Sequence, residues 1–86
     1  MVLKIIRKNK ESVEVQLTQN GEVIDMLIMP LDFNFDTVLV TSIDKILKEN
    51  RIDRVSLSDI VLEGFGDESS MVSLIAKTIV KALKIK

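Results

Sequence analysis

The feature that most constrains the fold of this chain is a pair of apolar segments joined by Asn20-Gly21. Over residues 12–18, apolar and polar residues alternate with the period of a half-buried β-strand. Asn and Gly tolerate the positive φ angles of a two-residue hairpin turn, so the segment from Glu22 to about residue 31 is predicted to pair antiparallel with residues 12–18. Pro30 cannot donate to a strand ladder and marks the end of this segment or a free edge.

The rest of the chain predicts two more strands and two helices. Residues 2–7 form an apolar first strand, and residues 60–62 form a short buried fourth strand. A first helix is predicted over residues 36–50, where Asp36 accepts hydrogen bonds from its first turn, and a second over residues 70–84. A right-handed crossover places strand four beside strand one. The prediction is one α/β domain over residues 1–86, with the order β-β-β-α-β-α and a four-stranded mixed sheet in the order 3-2-1-4.

Composition excludes several classes of function. The 86 residues include no Cys and no His, which removes disulfides, thiolate nucleophiles, the usual zinc sites and a base that would activate a hydroxyl. Lys and Arg number 12 against 13 Asp and Glu, so no nucleic-acid-binding surface is expected. No apolar run approaches the ~20 residues of a membrane span, and residues 1–10 are too charged for a secretory signal. We therefore expect a cytoplasmic protein that is not an enzyme and needs no cofactor.

Three segments carry a resemblance to a known family. Residues 12–21 resemble its second strand and hairpin, residues 38–47 its first helix, and residues 57–70 its fourth strand and following Gly-Pro-Gly-Ser-Phe-Thr-Gly loop. The family is TsaB/YeaZ, the non-catalytic subunit of the bacterial machinery that makes threonylcarbamoyladenosine on tRNA. Its fold is ribonuclease-H-like, of the actin/Hsp70 type. The resemblance implies a truncated, degenerate relative of the amino-terminal half of that fold.

The sequence departs from the family at the positions that would carry chemistry. Where the family has Ile-Asp-Thr-Ser after strand one, this chain has Ile6-Arg7-Lys8-Asn9, so the characteristic acid is missing. A ribonuclease-H-type nuclease needs a carboxylate on that strand to hold a divalent metal. In the loop, only Gly64, Gly66 and a serine match. Both departures favour a chain without catalytic activity.

The loop over residues 63–70 leaves two alternatives open. Backbone amides at a helix start favour an anion, which predicts a residual nucleotide or phosphate site at Gly64, Gly66, Ser69 and Ser70. Two acids in the same loop would repel that ligand and are favoured there by the helix dipole, so we prefer a structural role for the loop. The carboxylates of Asp59, Glu63, Asp67 and Glu68 could in principle hold a metal ion, but nothing in their spacing demands one, so no metal site is predicted.

Excess apolar surface is the positive functional signal. The third strand is apolar almost without interruption, and two helices on one side of the sheet cannot cover its other face. Either that face holds scattered apolar residues or a partner covers it. The predicted interface residues are Ile24, Met26, Leu27, Ile28, Met29, Val38, Ile60, Leu62, Met71, Leu74 and Ile75. The resemblance implies that the chain acts as a homodimer or docks through its two helices on a larger actin-like or TsaD-type protein.

Overall fold

The computed structural model describes residues 1–31, 34–65 and 71–84. Its elements follow the predicted order, with one addition, a single turn of 3-10 helix in the connection before the fourth strand. The element bounds are β1 Val2–Arg7, β2 Ser12–Gln19, β3 Glu22–Pro30, α1 Phe35–Glu49, the 3-10 turn Arg54–Ser56, β4 Asp59–Glu63 and α2 Met71–Lys84.

The hairpin between β2 and β3 forms at the predicted turn. Asn20 and Gly21 have φ angles of 53° and 82°, both in the left-handed region that a type I′ turn requires. The register shifts once along the hairpin, because Leu17 pairs with Asp25 whereas Thr18 pairs with Val23. The residue between, Ile24, is therefore the extra residue of a β-bulge.

The sheet has the predicted order β3-β2-β1-β4. β1 pairs antiparallel with β2 and parallel with β4, so it lies in the interior of the sheet. Leu3 and Ile5 of this strand are fully buried. The α/β fold class and the mixed four-stranded sheet with two helices are confirmed.

Both helices pack on the same face of the sheet. α1 contacts β3 and β2, whereas α2 contacts β4 and α1. The core between the layers is aliphatic apart from two Phe side chains, and its members are Leu3, Ile5, Val13, Val15, Leu17, Met29, Phe35, Leu39, Ile43, Ile46, Leu47, Ile60, Phe65, Ala76 and Val80. Leu3 pairs with Leu17 and Ile5 with Val15, so these side chains point to the same face of the sheet. Alternate residues of each strand therefore supply the core, and the opposite face is covered by neither α1 nor α2.

The ends of α1 differ in part from the prediction. Asn34, not Asp36, is the cap residue, and the Val38 amide donates to its carbonyl at 3.0 Å. The helix starts earlier because Phe35 is buried in the core, and Asp36 lies in the first turn, where a negative charge complements the helix dipole. The carboxyl end follows the prediction, since Asn50 is the C-cap.

Candidate functional site: a glycine turn and two apolar surfaces

The first residue of the predicted ligand loop lies against the end of β1. β1 and β4 are parallel, so their carboxyl ends meet at one edge of the sheet, and Gly64 follows β4 there with a φ of 78°. A Cβ atom at this position would lie 2.6 Å from the carbonyl oxygen of Arg7. Glycine is thus required both by the left-handed backbone and by the close approach of two main chains.

The polar residues that follow β1 have a local structural role. Arg7 Nε donates to the carbonyl oxygen of Asn9 at 3.3 Å. The Asn9 side-chain oxygen in turn accepts from the Glu11 amide at 2.8 Å and from Ser12 Oγ at 3.2 Å. These bonds build an Asx-type turn that leads from β1 into β2. The polar residues at this corner therefore close a turn.

The other predicted ligand-loop residues, Gly66, Ser69 and Ser70, lie outside the described residues, as do Asp67 and Glu68. The other two acids considered as metal ligands, Asp59 and Glu63, lie at opposite ends of β4, which separates their Cα atoms by roughly 13 Å at the rise of a strand. Within residues 1–31, 34–65 and 71–84, no three acidic side chains are grouped so that they could hold a metal ion.

Each of these two acids has a lysine partner. Lys84 Nζ lies 3.1 Å from Asp59 Oδ1, and Lys4 Nζ lies 3.7 Å from Glu63 Oε1. The hydrogen bond from Lys84, followed by that from the Ile60 amide, holds the pKa of Asp59 below its ordinary value. Both carboxylates are therefore paired with lysine side chains.

The predicted interface residues separate into three groups. Ile24, Met26, Ile28 and Leu74 are exposed, and the side chain of Met71 lies outside the described residues. A second group is only partly buried at the margin of the core and consists of Leu27, Val38, Leu62 and Ile75. Met29 and Ile60 are 2 % and 5 % exposed and belong to the core, which corrects their prediction as surface residues.

The sheet face opposite the helices, called the open face below, has an apolar stripe along β3. Val23, Met26 and Ile28 are 50 %, 43 % and 66 % exposed, and the bulged Ile24 is 43 % exposed. The register places Met26 opposite Gln16 and Ile28 opposite Glu14, so these side chains point to the face away from the helices. The rest of the open face, on β2, β1 and β4, mixes aliphatic and charged side chains.

The edge of β3 is poor in free donors. Leu31 donates to Glu11 at 2.8 Å, and the alternation of an antiparallel ladder then points the backbone groups of Pro30, Ile28 and Met26 away from β2. Pro30 has no N–H, and the Met26 amide donates to the side chain of Asp25 at 2.8 Å. Strand addition by another chain is disfavoured along this part of the edge because Pro30 and Met26 offer no free donor.

The opposite edge of the sheet, β4, is shielded in a similar way. The strand is five residues long, and the Ile60 amide donates to the side chain of Asp59 at 2.8 Å. Exposed acids at both ends, Asp59 and Glu63, further discourage pairing with a second strand.

A second apolar surface lies on the helix layer. A groove of about 630 Å³ runs between α1, the 3-10 turn and the end of α2, and it is lined by Val40, Thr41, Ile43, Asp44, Leu47, Asp53, Arg54, Val55 and Leu83. Val40 and Val55 at its rim are 48 % and 59 % exposed. Neither residue was predicted to form an interface. Val40 lies about 100° around the helix axis from the core residue Leu39, and its side chain is half exposed. This groove is called the helix groove below.

No helix in the described ranges is both long enough and apolar enough to cross a membrane.

Comparison with known proteins identifies the fold. No family model and no curated protein matches the sequence. Two solved structures match it, YeaZ from Pseudomonas aeruginosa and an uncharacterized protein with similarity to peptidase YEAZ from Pseudomonas aeruginosa. Each has a TM-score of 0.77 and 18 % sequence identity, with 95 % of this chain and 37 % of the other chain covered. The chain thus spans little more than a third of their length, and the predicted resemblance to YeaZ is confirmed at the level of the fold: this chain has the architecture of part of YeaZ.

Proposed function

We propose that this chain is a non-catalytic, cytoplasmic protein-interaction domain that docks on a larger protein through the helix groove. The observation that carries the proposal is the groove itself, an apolar surface with two half-exposed valines, Val40 and Val55, on its rim. Large exposed apolar residues grouped on one surface are typical of protein-binding sites.

The charges around the groove favour a protein over a small ionic ligand. Asp44, one of its lining residues, is paired with Lys48 at 2.9 Å, and the groove also holds both Asp53 and Arg54. With acidic and basic groups side by side, no single sign of charge dominates. An apolar centre with a mixed polar rim is the usual anatomy of a protein interface.

The amino-acid composition and the turn after β1 support the proposed lack of catalytic activity. The chain has no His or Cys, and the corner that would carry a strand-one acid holds Arg7 and Asn9 in a turn. The fold shared with part of YeaZ supports a link to threonylcarbamoyladenosine synthesis, in which the partner would be a TsaD-type protein.

The test is whether the purified chain binds a purified TsaD-type protein. Binding is measured by titration calorimetry and by co-elution of the two proteins in size-exclusion chromatography. We expect Val55→Lys and Val40→Lys to weaken binding about tenfold or more, which corresponds to ~1.4 kcal/mol per tenfold change. Ile28→Lys, the same kind of change at an exposed residue of the open face, serves as the matched control and should bind as the wild type does. Absence of binding by the wild type, or equal binding by Val55→Lys, would refute the proposed docking.

A further inference from the structure

The sequence of β3 is compatible with two registers on β2 that differ by one residue. The observed register contains the bulge at Ile24, and the residues that it turns toward the helices are Asp25, Leu27 and Met29. Without the bulge, each later residue of β3 would move one position along β2 and change faces. The residues turned toward the helices would then be Ile24, Met26 and Ile28. This second arrangement is called the slipped register below.

Burial of apolar side chains does not explain the observed register. That register turns an acid, Asp25, toward the helices and leaves Ile24 43 % exposed. The slipped register would exchange these two positions, so that Ile24 joins the helix side and Asp25 lies on the open face opposite Gln16. The later positions of β3 exchange apolar side chains of similar size, so their burial is closely balanced. Polar contacts must therefore hold the observed register.

The side chain of Asp25 makes one such contact, and this contact reaches the end of a helix. Its Oδ2 atom accepts from Asn50 Nδ2 at 2.8 Å, and its Oδ1 atom accepts from the Met26 amide at 2.8 Å. Asn50 is the C-cap of α1, and its side chain also donates to the Ile46 carbonyl at 2.7 Å. The slipped register would break the bond to Asn50, because Asp25 would point to the face away from the helices.

A second restraint lies at the other end of β3. The Leu31 amide donates to the Glu11 carbonyl at 2.8 Å. In the slipped register, Pro30 would take the place of Leu31 opposite Glu11, and proline has no N–H to donate. The slipped register therefore loses one backbone hydrogen bond at this end and one side-chain hydrogen bond at Asp25.

We propose that β3 is a two-register strand and that the bond between Asp25 and Asn50 is the latch that selects the observed register. Release of the latch lets β3 slide by one residue along β2. The slide replaces the apolar side chains that β3 presents on the open face: Met26 and Ile28 turn inward, and Leu27 and Met29 turn outward. The strand thus presents either of two apolar surfaces from the same sequence.

The latch lies beside the helix groove. Leu47 and Asp53, which line the groove, are three residues before and three residues after Asn50 in the chain. A partner that moves this end of α1 changes the latch and, through it, the open face, to the extent that it binds one register more tightly than the other. This inference goes beyond the proposed function and is measured on the isolated chain, so its outcome does not depend on docking.

The test is NMR spectroscopy of the full chain and of Asp25→Ala. The Hα atoms of a non-hydrogen-bonded pair in an antiparallel ladder lie close together, so the observed register predicts a contact between Glu14 and Ile28. The slipped register predicts a contact between Glu14 and Leu27 instead. We expect this second contact to appear in Asp25→Ala, with a slipped population at least about tenfold above that of the wild type by relaxation dispersion, since a hydrogen bond to a charged group is lost.

Ile24→Lys provides the matched control, because position 24 is exposed in the observed register and turned toward the helices in the slipped one. Adding Ile24→Lys to Asp25→Ala should restore the wild-type contacts. Asn50→Ala removes the same bond from its other partner and replaces Asp25→Ala if circular dichroism shows that the latter does not fold. A contact of Glu14 with Ile28 alone in both latch variants would overturn the proposal, as would a slipped register that persists when Ile24→Lys is added.

Discussion

Replacing Gly64 by alanine tests whether the turn after β4 is held by a close approach of two main chains. Its φ of 78° lies where an L-residue costs about 1–2 kcal/mol, and the new Cβ would lie 2.6 Å from the Arg7 carbonyl oxygen. Since that oxygen belongs to the backbone of an interior strand, relief requires the β1 and β4 ends to move apart, at a further cost of about 1–3 kcal/mol by analogy with overpacked cores. We expect a total loss of about 2–5 kcal/mol in the free energy of unfolding.

The matched control for this prediction is Gly21→Ala. Gly21 has a similar φ of 82°, but a Cβ there would meet no atom within 4 Å, so only the backbone strain of about 1–2 kcal/mol applies. Urea unfolding should be followed by far-ultraviolet circular dichroism, because the chain has no Trp or Tyr. With a slope of ~1 kcal/mol per molar urea, the midpoints of the two variants should differ by roughly 1–3 M. Equal losses in the two variants would show that the approach to Arg7 contributes nothing.

Three further predictions concern residues outside that turn. Arg51, with φ 57°, occupies the left-handed position after α1, where the Ile52 amide donates to Leu47 in a Schellman arrangement. Arg51→Gly should therefore raise the free energy of unfolding by about 1 kcal/mol, seen as a melting temperature higher by roughly 4–8 °C. The pKa of Asp59 is lowered by Lys84, so its stabilising effect should be present above the ordinary pKa of 3.8 and lost as pH falls below it. An NMR titration should show that pKa moving up toward 3.8 in Lys84→Met; no change would contradict the pairing. Asn50→Ala should lower stability by about 1–2 kcal/mol in urea unfolding, because its side chain donates to Asp25 and to the Ile46 carbonyl; wild-type stability would refute that role.

The order of elements and the sheet topology follow from local sequence signals. The alternation in β2, the Asn20-Gly21 turn and the spacing of apolar residues in α1 each act over short distances, so the sequence predicts them correctly. The start of α1 was misplaced because the burial of Phe35, a tertiary contact, extends the helix by one residue. The 3-10 turn Arg54–Ser56 has no strong local signal and was not predicted.

The division of β3 between core and surface could not be read from the sequence. The two sets of alternate side chains of this strand are both largely apolar, so hydrophobicity does not show which set faces the helices. Counting pairs from the Asn20-Gly21 turn without a bulge would place Met26 and Ile28 opposite the inward residues of β2. The extra residue Ile24 reverses that assignment and sends Leu27 and Met29 to the helix side. One bulge thus decides which side chains are available to a partner.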